Sequence, residues 1–203
     1  MWCPCSFLMD TFSLDHNKSA DKLKKMGIPV FEPYKSENQV FKKDGWYLKA
    51  FPLSHNGTEN RGVFVMTPSG ESLVYATDFE YIAHKFVKLG INHFLIECNH
   101  MDDISKEDNE GKFAHVLRGH SSLSTCMEFL KVNKTEKLKS VGICHLSSDN
   151  AQPDVMLAEV QKVVGDNVIC YIAKKGVSIN LDEQSRKKEE WRKNATTKDE
   201  AYD

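Results

Sequence analysis

Side chains able to bind a cation or move a proton fall at four comparable places in the chain: Asp15 with His16, His55, Asp78 and His145. His55 follows WYLKAFPLS, Asp78 follows SLVYAT and His145 follows VGIC, so each closes an apolar, strand-like run. Asp15-His16 stands just before a helical stretch. In layered α/β folds the loops leaving strand C-termini share one rim, and sites are built there. Neutral imidazole and carboxylate suit zinc, manganese or iron, and a carboxylate can bridge two ions. A single histidine at a strand end is more often a hydrogen-bonded surface or core residue, and Asp-His before a helix can be a cap beside a chance neighbour. The chemical signal lies in the four positions taken together.

The elements that must position them can be read from periodicity and turn signals. SADKLKKM (19–26) has helical spacing with Gly27 as a stop, and IPVF follows as a short strand. QVF and WYLKAFPL flank KKDG, which predicts a hairpin turning at Asp44-Gly45. GVFVMT and SLVYATD flank PSGE, a second hairpin. Ile82, Phe86 and Leu89, with Gly90 after them, predict a helix over about 79–89. INHFLIECN reads as a strand, SSLSTCMEFLKVN as a helix with serine caps, LKSVGICHL as a strand, and AQPDVMLAEVQKVVG as a helix opening near Pro153. VICYIA and GVSINL close the ordered part. Residues 1–182 form one predicted domain of α/β class, and 183–203 a charged tail, a frayed helix or solvated segment.

Composition narrows the function classes. The chain has 203 residues, room for one domain, with 27 Lys and Arg against 29 Asp and Glu. A net charge of −2 provides no global basic field for nucleic acid. No apolar run reaches the roughly 18–20 residues of a membrane helix. MWCPCSFLMD lacks a positive n-region and a cleavage site, so a cytoplasmic, non-membrane protein is expected. The six cysteines form no C-x-x-C pair, and four lie in apolar stretches as buried thiols would. Glycine-rich phosphate loops are missing, which excludes nucleotide cradling by those devices.

The blocks LDHNKSADKLKKMGIPVF, FPLSHN, LVYATDF, FLIECNH, RGHSSLS and CHLSSDN make the chain resemble the metallo-β-lactamase-fold hydrolases, and more closely their YycJ/WalJ-like branch. That branch includes DNA-processing nucleases, and the resemblance runs from about Thr11 to Leu181. It implies an αββα sandwich, here incomplete at its N-terminus, since family members carry several strands before the metal motif and ten residues precede Thr11. A sandwich lacking those strands would expose a sheet edge and so favour a homo-oligomer.

The family's H-x-H-x-D-H motif aligns with Thr11-Phe12-Ser13-Leu14-Asp15-His16, so Thr11 and Ser13 stand where two histidines belong. The resemblance implies a second ion site made of Asp15, His16 and His145 with the bridging Asp78. The first site keeps His55 and the shared Asp78 only. One divalent ion is therefore expected rather than two, zinc above manganese or iron. The implied reaction is metal-dependent hydrolysis of a phosphodiester or nucleic-acid substrate, weakened by the loss of the first site, with Asp78 and His120 as catalytic residues. His120, next to a helix cap, stands where a proton donor could meet an anion, and a capping or packing histidine fits the same place. Asn99 and His100 are weaker candidates for substrate contact. The alternative is a non-catalytic binding module that keeps the fold and at most one ion.

Overall fold

The structure, a computed structural model, describes Lys25 and residues 40–103 and 119–174. Of the predicted helix at 19–26, Lys25 alone lies among them, and it is helical. The strands IPVF and GVSINL and the charged tail lie outside the described residues.

The first half is an antiparallel meander. Strands β1 (Val40–Lys43) and β2 (Trp46–His55) pair as Val40 with Lys49 and Lys43 with Trp46. Their turn is Asp44-Gly45, with φ of 49° and 81°, the positive pair a tight two-residue hairpin requires. Strand β3 (Thr58–Met66) then pairs antiparallel to β2 and to β4 (Ser72–Ala76), as the second predicted hairpin requires. Between the two hairpins the structure adds a third turn, at Asn56-Gly57, again with two positive φ values. It fixes His55 as the last residue of β2.

The second half is parallel. Strands β5 (His93–Glu97), β6 (Ser140–Cys144) and β7 (Ile169–Ile172) extend the sheet in order from β4, giving a mixed sheet of seven strands among the described residues. Every residue of β5 and β6 is buried, as their apolar centres demand of strands covered on both faces. Helix α1 (Leu123–Asn133) connects β5 to β6, and α2 (Pro153–Val164) connects β6 to β7. Ser122 caps α1 by accepting the Thr125 N–H, and Pro153 opens α2, where its missing N–H costs nothing. Leu123, Cys126 and Leu130 of α1 and Met156, Val160 and Val164 of α2 pack with Val74, Phe94, Ile96, Val141 and Ile143 in one core.

The predicted helix over 79–89 does not form. The segment is irregular with a single turn at 87–89, and β4 reaches β5 without a helix. The Phe86 N–H, which a helix would commit to the Ile82 carbonyl, is donated to Asn133 Oδ1 on α1 at 2.5 Å. Leu89, expected on the apolar face, is exposed, whereas Phe79 and Phe86 are buried. A tertiary hydrogen bond and two phenylalanine anchors outweigh the 3.6-residue periodicity here.

Cys98, Cys126 and Cys144 are buried free thiols and Cys170 is half-buried, as the composition predicts for small core side chains. Burial pushes the Cys170 thiol up to about 12, so it carries no thiolate at neutral pH. Among the described residues no helix is long and apolar enough to cross a membrane.

Candidate metal centre

Topology explains why residues distant in sequence share one rim. Because β2 and β4 both run antiparallel to β3, β2 is parallel to β4, β5 and β6. The C-terminal ends of these four strands therefore lie at one edge of the sheet. His55 ends β2, Asp78 follows β4, Glu97 ends β5 and His145 follows β6. His120 reaches the same rim from the segment that leads into α1.

One carboxylate and two imidazoles converge there. Ligand atoms of Asp78, His120 and His145 all lie within 4.8 Å of one another. Asp78 Oδ1 is 3.5 Å from His145 Nδ1 and 3.9 Å from His120 Nδ1. Asp78 is buried, His120 half-buried and His145 exposed, so the cluster opens to solvent on the His145 side. The His55 ring stands 5.4 Å from the His120 ring, and its Nδ1–H donates to the Gly119 carbonyl at 2.6 Å. His55 thus lies beside the three-residue cluster rather than in it. Asp15 and His16, the remaining predicted ligands, lie outside the described residues.

Beneath the cluster sits Glu97, fully buried at the end of the apolar run HFLIE. Its Oε1 accepts from His120 Nδ1 at 2.7 Å and from His145 Nδ1 at 2.9 Å, and its Oε2 accepts the Phe79 N–H at 3.0 Å. Burial by itself would raise the Glu97 pKa, but the hydrogen bonds from the two imidazoles outweigh it and hold the carboxyl below its ordinary value. An ionised Glu97 can only accept, so both Nδ1 atoms carry protons. For Asp78, burial dominates and raises the pKa, with His145 opposing it. The hydrogen bond to Glu97 raises the His145 pKa against the effect of burial.

Two of the candidate ligand residues adopt unfavourable backbone conformations. Asp78 has φ 55° and His145 φ 54°, in the left-handed region that costs a non-glycine residue about 1–2 kcal/mol. Buried side chains support both loops: Asn60 Nδ2 donates to the Asp78 carbonyl, and Asn99 Nδ2 to the His145 carbonyl. Asn99 and His100, candidates for substrate contact, are themselves buried. His84 is exposed and His93 fully buried.

The donor chemistry fits a divalent ion. Imidazole and carboxylate donors are those that zinc, manganese or iron takes, and a carboxylate on the second ring nitrogen is the usual way to fix a ligating histidine. Glu97 adds that buried carboxylate to the residues singled out from sequence. Its signal there was an acidic residue closing an otherwise apolar strand.

Comparison with solved structures fits the same architecture. The chain aligns with the metallo-β-lactamase-fold protein YhfI from Bacillus subtilis at TM-score 0.52 and 17% identity, covering 73% of this chain and 54% of that one. It aligns with a diphosphatase of the PhnP family at TM-score 0.52 and 15% identity, covering 83% and 56%. A third alignment, with Zn(2+)-bound PqqB from Methylobacterium extorquens, has TM-score 0.50 and 14% identity, covering 71% and 54%. The chain thus spans about half the length of these structures. No protein-family model and no curated protein sequence matches it. The chain has an α/β, metallo-β-lactamase-like fold.

Proposed function

We propose that this chain is a metal-dependent hydrolase of phosphodiester bonds that works with one divalent ion, best suited to zinc. The observation that carries the proposal is the convergence at the rim of this fold of the Asp78, His120 and His145 side chains, with N and O atoms within 4.8 Å of one another. Asp78 and His145 hold the ion in this reading, with Asp15 and His16 completing its ligand set. A bound divalent ion supplies charge neutralisation at a phosphoryl oxygen and a water acidified toward neutral pH.

The chain's own residues do the rest. Glu97 fixes the orientation and tautomer of both imidazoles through their Nδ1 protons. His120, gripped by that buried carboxylate and flanked by the rings of His55 and His145 at 5.4 and 5.2 Å, is assigned the proton delivered to the leaving oxygen. The exposed side of His145 admits the substrate. The YycJ/WalJ-like blocks FLIECNH and RGHSSLS, which carry Glu97 and His120, support the phosphodiester class. Thr11 and Ser13, standing where two imidazoles would complete the first ion site, argue for slow turnover.

Those two residues also favour a second reading, a binding module that keeps one ion without chemistry. Metal content and hydrolysis of bis(p-nitrophenyl) phosphate separate the readings. The hydrolase reading expects zinc-dependent turnover, lost in Asp78→Asn. In His120→Ala it expects turnover lost with the ion retained. Stoichiometric zinc without turnover on any phosphodiester would establish the binding module, and failure to bind zinc would end both.

A further inference from the structure

We propose that Asn60 and Asn99 are a matched pair of positioning residues, each holding the backbone of an ion ligand in the left-handed turn that aims its side chain. The proposal rests on the ion-binding part of the reading above and is independent of hydrolysis.

Among the described residues four non-glycine residues have positive φ. Asp44 and Asn56 are in two-residue hairpin turns, where that geometry is expected. The other two are Asp78 and His145, at 55° and 54°. Non-glycine residues remain in this region only when their surroundings over-determine it, and such sites cluster at functional centres.

The surroundings are alike at both positions. Asn60 Nδ2 reaches the Asp78 carbonyl at 2.6 Å, and Asn99 Nδ2 reaches the His145 carbonyl at 2.6 Å. Asn60 also donates to the Thr77 carbonyl at 2.8 Å, and its Oδ1 accepts the Arg61 N–H at 2.8 Å. Both amide protons are therefore spent on the two residues that leave β4. Asn99 is a junction for the two imidazoles. Its N–H donates to the Ser121 carbonyl, next to His120, and its carbonyl accepts the Ser147 N–H, two residues past His145, both at 2.8 Å. Asn60 and Asn99 are both buried.

The side-chain type matters as well as its position. An amide presents N–H donors to a carbonyl oxygen. An aspartate of the same shape presents an oxygen to an oxygen, and the contact turns repulsive. Glutamine is one methylene longer and overfills a buried site. A purely structural asparagine is available for contrast. Asn133 is equally buried, accepts the Phe86 N–H at 2.5 Å and donates to the Phe129 carbonyl at 2.9 Å, but it touches no ligand loop.

The test uses the full chain with Asn60→Asp, Asn99→Asp and Asn133→Asp, titrated with cobalt(II) and melted without metal. Cobalt affinity should fall about tenfold or more in the first two variants, the scale seen when support behind a metal ligand is lost. The visible d–d band should also change shape, because a ligand has moved. Asn133→Asp should lower the melting temperature while its cobalt affinity and spectrum stay as in the parent. Should either rim variant fail to fold, Asn→Ser at that position keeps a single donor and is read on the same two axes, expected between parent and aspartate. Unchanged cobalt binding in the rim variants, losses matching those of Asn133→Asp, or a parent chain that binds no cobalt would overturn the proposal. Cobalt binding with the expected losses but no phosphodiester turnover would sustain it while removing the hydrolase reading.

Discussion

Glu97 and His145 meet through a 2.9 Å hydrogen bond, Nδ1 to Oε1, on an oxygen that also accepts His120 Nδ1 at 2.7 Å. One buried carboxylate oxygen thus sets the direction of both imidazoles at the rim. Glu97→Gln keeps the shape but loses the charge and one acceptor. We expect it to weaken zinc binding about 10–100-fold, measured by competition with a chromophoric chelator. Unaltered zinc affinity in this variant would show that Glu97 serves packing alone.

The same contact makes ion binding depend on pH. The hydrogen bond to Glu97 raises the His145 pKa above 6.5 in the metal-free protein, and burial raises that of Asp78 above 3.8. An ion must displace the proton from each, so both shifts act in one direction: affinity falls as pH falls. Below the raised His145 pKa, zinc affinity should drop about tenfold per pH unit, with one proton released per ion. Calorimetry in buffers of different ionisation enthalpy counts that proton, and a pH-independent affinity would contradict the expectation.

At the opposite edge of the sheet, Glu71 joins Lys139 at 2.6 Å and the buried His93 at 3.1 Å, and His93 reaches Ser140 Oγ at 2.8 Å. Burial tends to raise the Glu71 pKa, but Lys139 and His93 more than offset it and the net shift is downward from 4.5. A depressed carboxyl pKa stabilises the fold above the unfolded value and loses that contribution as pH falls through the folded value. Glu71→Gln should therefore cost about 1 kcal/mol at neutral pH once solvent screening of the pair is counted, and the difference should shrink in acid as pH falls through the folded value. Urea melts at neutral and acid pH test this. A cost that persisted in acid would mean the carboxylate charge is irrelevant.

Gly142 lies in the middle of β6, between the strands that carry Leu95 and Tyr171. A Cβ there would stand 2.5 Å from Tyr171 Cε2 and 2.9 Å from Leu95 Cδ1. Gly142→Ala should destabilise the fold by about 1–3 kcal/mol through overpacking. Adding Tyr171→Leu should restore part of the loss in thermal melts. A neutral Gly142→Ala would show that the Tyr171 ring moves aside at no cost.

The local elements were legible because each leaves a local signature. Asp44-Gly45 marks its hairpin, Ser122 and Pro153 mark two helix starts, and the apolar runs of β5 and β6 announce strands covered on both faces. Residues 79–89 were misread because periodicity cannot register Asn133, 47 positions beyond Phe86, taking the Phe86 N–H.

The sequence by itself determined the types of the candidate ligands and their places at strand ends, since both follow from residue identity and local pattern. His55, Asp78 and His145 each had to close a strand. Tertiary structure alone decided that β2, β4, β5 and β6 point their C-termini the same way, which gathers those ends on one rim. It also decided which groups touch: that Asp78, His120 and His145 converge, that His55 stands beside them, and that Glu97 grips two imidazoles from below. The physical reason is range. Caps, turns and apolar periodicity act over a few residues, whereas the candidate metal centre is assembled from contacts spanning 18 to 67 positions, which exist only once the sheet has brought its strands together.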